Sequence, residues 1–136
     1  MMKRMVVCLL SLSVLLLAGC AEPATREVTL GTEFTLAVGQ SAALTGESVS
    51  IDFVEVVSDS RCPNGARCIW AGEVSCLVKV TQAGSTYEKV LTQPGLSGPA
   101  SDTFGGYKVA FDVLPYPEVG KEIKAKDYEL KLTVSK

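Results

Sequence analysis

Histidine is absent from all 136 residues of this chain. Its absence excludes the commonest general base, the serine and cysteine triads that need an imidazole, and a favoured zinc ligand. No spacing of acidic residues resembles a calcium-binding loop. Catalysis by carboxylates stays open as an alternative, but we expect a protein that is not an enzyme and that uses neither a cofactor nor a metal.

The chain also lacks a long apolar run and an excess of basic charge. Its main apolar stretch, residues 5–17, is about 13 residues long and is interrupted by two serines, whereas a membrane-spanning helix needs about 20 residues. Lys3 and Arg4 are the only charged residues of segment 1–19, so the remainder has 11 basic and 15 acidic residues and a net charge of −4. A nucleic-acid partner, which calls for a basic patch, is therefore not expected.

The first 20 residues have the layout of an export signal. A charged start precedes the apolar run, and small residues stand directly before a cysteine, as in a secretory signal peptide. The ending Leu17-Ala18-Gly19-Cys20 resembles the lipobox of bacterial lipoproteins. That resemblance implies cleavage before Cys20, diacylglycerol on its sulfur and a fatty acid such as palmitate on the new N-terminus. Two or three acyl chains hold a protein stably at a bilayer, so we expect a membrane anchor.

The lipoprotein resemblance also implies a location. Ala21 stands where an aspartate commonly marks inner-membrane retention in diderm bacteria, so the resemblance implies the outer membrane there. In a monoderm organism it implies the outer face of the cytoplasmic membrane. We predict a signal peptide at 1–19, a short linker with the lipidated cysteine at 20–26, and a single domain at 27–136. The linker would keep the domain within about 25 Å of the bilayer.

From Arg26 onward the sequence predicts β-structure. Apolar and polar residues alternate, β-branched and aromatic residues are frequent, and no stretch of ten or more residues has helical spacing. Seven or eight short strands separated by glycine-containing turns favour an all-β antiparallel sandwich, with a barrel as the alternative. The strands are expected at 34–38, 41–44, 49–57, 69–81, 86–91, 107–113 and 128–134. Residues 92–106 and 114–126 are expected to be loops, the second with one helical turn.

Five cysteines are present. The lipoprotein resemblance implies that Cys8 leaves with the signal and that Cys20 is the lipidation site. Cys62, Cys68 and Cys76 remain, in a compartment that permits disulfides. Cys76 is in phase with the apolar residues of its strand, which predicts a buried thiol. We therefore predict a Cys62–Cys68 bridge and one free cysteine.

The segment between the two bridged cysteines favours a tight turn. It contains Pro63, which fixes φ, and Asn64-Gly65, which tolerates a positive φ. Such a turn brings two Cα atoms to the separation that a disulfide needs. We call residues 62–71 the cysteine loop.

The residues in and around this loop form a motif. D-S-R-C-P, four further residues and then C-x-W-A-G span residues 59–72. The motif resembles one found in small, β-rich, uncharacterised bacterial lipoproteins and secreted proteins. The resemblance implies a β-rich exported domain and carries no activity.

Two roles are open for the cysteine loop. In a structural role, the Cys62–Cys68 bridge would stabilise the domain, with Trp70 packed against the bridge or over the end of the sandwich. As a recognition element, with Arg61, Asn64, Arg67 and Trp70 as the candidate residues, it would display the arginines and the asparagine on a rigid turn, as many protease inhibitors present an arginine. We predict a non-enzymatic envelope lipoprotein that binds or supports another envelope component; the alternative is a ligand-binding module that uses this loop, with a protease or a glycan as ligand.

Two further groups of residues have competing interpretations. Asp59 and Arg61 are expected to form a local salt bridge or turn cap rather than a catalytic pair. Tyr107, Tyr116 and Tyr128 could form an aromatic surface for sugar, but Tyr107 and Tyr128 are in phase with core residues. Core packing is therefore the expectation for both.

Overall fold

The computed structural model describes residues 24–95 and 98–136, which form two packed β-sheets. The predicted signal peptide, the lipobox-like ending and Cys20 lie outside the described residues. The all-β sandwich predicted from the alternation is confirmed. Its strands are β1 (Thr25–Val28), β2 (Glu33–Ala37), β3 (Ser41–Leu44), β4 (Val49–Asp59), β5 (Glu73–Gln82), β6 (Ser85–Pro94), β7 (Ala100–Phe104), β8 (Tyr107–Leu114) and β9 (Glu129–Ser135).

One sheet has the strand order β1-β3-β4-β5-β6 and the other has the order β2-β9-β8-β7. Neighbouring strands are antiparallel except β1 and β3, which are parallel, with Thr25 aligned to Ser41 and Val28 to Leu44. A 3-10 turn at Ala125–Asp127 precedes β9, inside the loop where one helical turn was predicted. Within the two described ranges, no helix has the length and apolar character needed to cross a bilayer.

The core lies between the sheets and follows from the period-two pattern. In β8 each second residue is buried, from Tyr107 to Val113, and the residues between them face outward. Phe53 of β4 and Phe111 of β8 are 0% and 2% exposed. Tyr107 and Tyr128 are also buried, which confirms that they pack in the core.

Three elements differ from the sequence-based expectation. β1 begins at Thr25, two residues before the predicted start of the domain, and its register with β3 was not apparent in a four-residue segment with one buried side chain. β7 lies within the predicted loop 92–106. It was not predicted because an edge strand exposes its polar residues and so lacks a clear apolar face. β5 begins at Glu73 rather than at Ile69, because Gly72 has a φ of +70° and turns the chain out of the sheet.

Candidate functional site

The disulfide of the cysteine loop is present as predicted. Cys62 and Cys68 are bonded, with their Cα atoms 5.9 Å apart. Cys76 is a free, buried cysteine on the inward face of β5, also as predicted. Burial raises the pKa of the Cys76 thiol to about 12. The thiol is therefore protonated at neutral pH, and the Cys62–Cys68 bridge is the only disulfide among the described residues.

The base of the cysteine loop continues the hydrogen bonding of β4 and β5. The Ser60 amide donates to the Glu73 carbonyl at 2.8 Å, and the Cys62 amide donates to the Ala71 carbonyl at 2.9 Å. Gly72 lies so close to Ser60 that a Cβ atom there would overlap the Ser60 carbonyl oxygen. Glycine is thus required at this position by both its positive φ and the close approach of the backbone.

The tip of the loop is fixed to a second loop that follows β8. The Asn64 amide donates to the Pro117 carbonyl at 2.8 Å, and the Val119 amide donates to the Asn64 carbonyl at 3.1 Å. The disulfide joins the two ends of the Cys62–Cys68 turn, and these two hydrogen bonds attach the turn at Asn64 to the neighbouring loop. The cysteine loop is consequently a preformed surface feature at the end of the sandwich.

Arg61, predicted to be displayed on the loop, is instead 3% exposed. Its guanidinium donates through Nη1 to the carbonyl of Val113 at 2.7 Å and through Nη2 to that of Pro115 at 3.0 Å. It also lies over the Tyr116 ring, 4.7 Å from the centroid. These contacts join the end of β4 to the end of β8, so the recognition role predicted for Arg61 is wrong.

Asp59 neutralises the buried Arg61. Its two carboxylate oxygens accept from Arg61 Nε at 2.9 Å and Nη2 at 2.6 Å, and Oδ2 also accepts from the Tyr128 hydroxyl at 3.1 Å. Burial raises the pKa of Asp59, but the hydrogen bonds and charge of Arg61 outweigh it, so the pKa is lowered. Burial and the Asp59 charge raise the pKa of Tyr128 to about 12. The salt bridge predicted for Asp59 and Arg61 is confirmed.

The exposed part of the cysteine loop is apolar at its C-terminal end. Ile69 is 98% exposed and Trp70 is 78% exposed, so the predicted packing of Trp70 against the bridge or over the end of the sandwich is wrong. The prediction began β5 before Trp70 and extended its alternation through that residue, whereas the strand begins only at Glu73. Asn64 and Arg67 are exposed, as the recognition hypothesis requires. Residues 62–71 surround an open depression of about 430 Å³.

Gln93 is a buried polar residue that the sequence-based prediction missed. Its Nε2 donates to the Asp112 carboxylate at 2.7 Å and to the Gly98 carbonyl at 2.8 Å, and its Oε1 accepts from the Val113 amide at 2.8 Å. The sequence did hold a signal for this burial: Gln93 is two residues after Leu91, so in a strand both side chains face the same way, and in β6 both face inward. Gln93 and Arg61 both connect the two sheets beneath the cysteine loop.

A second polar cluster lies at the opposite end of the sandwich. The Tyr107 hydroxyl and Lys136 Nζ donate to the two carboxylate oxygens of Glu47, at 2.6 and 2.7 Å. The hydrogen bonds from Lys136 and Tyr107 lower the pKa of Glu47. In the part of the chain that the structure describes, no group of three or more cysteine, aspartate or glutamate residues is placed to hold a metal ion.

Comparison with protein-family models, curated proteins and solved structures finds no match to this chain.

Proposed function

We propose that this protein is a lipid-anchored bacterial envelope lipoprotein whose domain is a non-enzymatic interaction module, with the cysteine loop as its contact surface. The anchor is the lipid on Cys20 that the lipobox resemblance implies. The observation that carries the contact surface is the exposure of Ile69 and Trp70, at 98% and 78%, on a loop that the bridge and the 117–119 segment hold in place. Exposed aromatic residues on a rigid support are typical of binding surfaces.

The electrostatics of Glu47 and Asp59 support a structural role for these two carboxyl groups. A general acid near neutral pH needs a raised pKa, whereas the pKa values of Glu47 and Asp59 are both lowered. Each carboxylate already accepts hydrogen bonds from a basic residue and a tyrosine. Their geometry serves the stability of the two ends of the sandwich.

The anchor is tested by growing cells with an alkyne-labelled palmitate and isolating the full-length protein. The wild-type protein should carry the label and sediment with membranes, and the Cys20→Ala variant should carry none. Labelling of the variant, or a wild-type protein free of lipid, would contradict the anchor.

The contact surface is tested by placing a photoreactive amino acid at Trp70 in the full-length protein in cells. Tyr87, which is 38% exposed on β6, is the control position. An adduct with a lipid or protein of the envelope that forms from position 70 and not from position 87 supports the proposal. Equal adducts from both positions, or none from position 70, contradict it.

A second candidate is ligand binding by the same loop, with a protease or a glycan as ligand. It is favoured by the exposure of Asn64 and Arg67 on the disulfide-closed turn. A protease that cleaves after arginine should be inhibited by the wild-type protein and not by Arg67→Ala. If the Arg67→Ala variant still inhibits, or if the wild-type protein does not inhibit at all, a protease is excluded as the ligand that this loop binds through Arg67.

A further inference from the structure

The exposed apolar side chains of this domain are concentrated near the cysteine loop. Ile69 and Trp70 are at its C-terminal end, and Val119 is on the segment hydrogen-bonded to it. Val57 is two residues before the end of β4, which leads into the same loop. The large apolar residues that are exposed within residues 24–95 and 98–136 are Val57, Ile69, Trp70, Tyr87, Val90 and Val119.

The direction of β1 places the start of the domain toward this same end. Thr25 aligns with Ser41 in β3, and Ser41 aligns with Asp52 in β4. Because β1 and β4 are antiparallel across this register, the segment that precedes Thr25 starts on the side toward which β4 runs. β4 ends at Asp59, at the entry to the cysteine loop.

The segment from Cys20 to Thr25, called the tether here, is short. Cys20 is five residues from Thr25, and even a fully extended segment of that length reaches only about 18 Å. Across the sheet, Thr25 is level with Lys79 of β5, and β5 begins six residues nearer the cysteine loop, at Glu73. At the rise of a strand, those six residues span about 20 Å along β5. A bilayer that holds a lipid on Cys20 therefore lies within about 18 Å of Thr25, and the cysteine loop is on the side of the domain from which this tether leaves β1.

The chemistry of the tip matches a membrane interface. Tryptophan is enriched at the level of the lipid headgroups because its ring is apolar and its N–H is polar. Ile69 adds an aliphatic side chain beside it, and the exposed Arg67 supplies a cation for headgroup phosphates. The loop is preformed, so little conformational entropy is lost when it docks.

We infer that Ile69 and Trp70 insert into the interfacial layer of the membrane that holds the protein. The lipid and the cysteine loop then form two points of attachment, and the domain is oriented with this end against the bilayer. The inference rests on the proposed lipid anchor at Cys20. It assigns a lipid surface, rather than a protein or a glycan, as the partner of the loop.

Trp70 is the only tryptophan of the chain, so its emission tests the inference directly. The full-length lipoprotein is reconstituted into vesicles of phosphatidylethanolamine and phosphatidylglycerol, part of which carry brominated acyl chains. We expect a blue shift of the emission and quenching by the brominated lipid. The control, Trp70→Phe with Tyr87→Trp, moves the fluorophore to β6 and should show neither effect.

A second pair of variants tests the role of the apolar tip. Ile69→Asp should reduce the quenching of Trp70, whereas Val90→Asp, at a site 50% exposed on β6, should leave it unchanged. Emission in water with no quenching, from a protein whose acylation is verified by mass spectrometry, overturns the inference and leaves the anchor intact. Absence of the acyl groups overturns the anchor instead. Shielding of Trp70 in native membranes but not in lipid vesicles assigns the loop to a protein partner and also overturns the inference.

Discussion

Arg61 and Asp59, two residues apart in the chain, form a bidentate ion pair in which Nε and Nη2 of the guanidinium each donate to a different carboxylate oxygen. The pair is nearly buried, with side-chain exposures of 0% and 8%. The remaining guanidinium nitrogen donates to the Val113 carbonyl at the end of the facing sheet. The ion pair therefore supports the cysteine loop from beneath and takes no part in its exposed surface.

Removal of either partner should be strongly destabilising. Arg61→Ala leaves the Asp59 carboxylate without its cation and two backbone carbonyls without a donor, so the free energy of unfolding should fall by about 3–5 kcal/mol. Arg67→Ala, on the exposed part of the loop, should change it by less than about 0.5 kcal/mol. Denaturant titration of both variants measures the difference, and similar losses would refute the assignment of Arg61 as a buried structural residue.

Acid should weaken the protein through Asp59. Its folded-state pKa is below the ordinary value of 3.8, so the ionised carboxylate contributes stability above that pH. This contribution is lost as the pH falls below 3.8 and through the folded-state pKa. Unfolding free energies measured across this acid range should decline less steeply for Asp59→Asn than for the wild type. Equal slopes would mean that Asp59 does not contribute to the acid sensitivity.

The disulfide should contribute modestly to stability, because the ring that it closes is short. Replacing Cys62 and Cys68 together by alanine should lower the free energy of unfolding by about 2–3 kcal/mol and retain the β-sheet circular dichroism spectrum. Peptide mapping of the oxidised protein should give a linked pair from positions 62 and 68. A linkage from Cys68 to Cys76 would contradict the structure.

Cys76 should resist alkylation while the protein is folded. Burial raises the pKa of its thiol to about 12, and only the thiolate reacts with iodoacetamide. At pH 8 the native protein should label slowly, and the same protein in denaturant should label at the rate of a free cysteine. Rapid labelling of the native protein would show that the thiol is accessible.

Gly72→Ala should disturb the base of the cysteine loop. Alanine there would have a φ near +70° and would overlap the Ser60 carbonyl oxygen. Gly84→Ala is the matched control, since Gly84 has a φ of +81° but open space around it. Both should show the strain of the left-handed conformation, about 1–2 kcal/mol, and thermal unfolding should show a larger loss for Gly72→Ala. Equal losses would indicate that the contact with Ser60 relaxes without cost.

The strands with clear alternation were predictable, because one face of each lies on the core. β2, β8 and β9 follow their apolar periodicity, and β4 and β6 run somewhat further than the pattern indicated. β1 and β7 were missed because an edge strand with exposed polar residues has no such periodicity. Their pairing comes from neighbours that are distant in the sequence.

The local chemistry of the cysteine loop was predictable, but its surroundings were not. The turn residues between Cys62 and Cys68 indicated the bridge. The burial of Arg61 depends on carbonyl groups at Val113 and Pro115, 52 and 54 residues away, and no local pattern reports such contacts. The exposure of Trp70 depends on where β5 begins, which a single glycine at position 72 decides.

The parallel pairing of β1 with β3 also determines how the domain withstands mechanical force. If the protein is held by a lipid on Cys20, a drag force on the domain is transmitted along the axis of β1 toward the cysteine loop. Force in that direction acts on the β1–β3 hydrogen bonds in shear, so they must break together rather than one after another. With such an anchor, β1 would resist being peeled from β3 although it has only four residues.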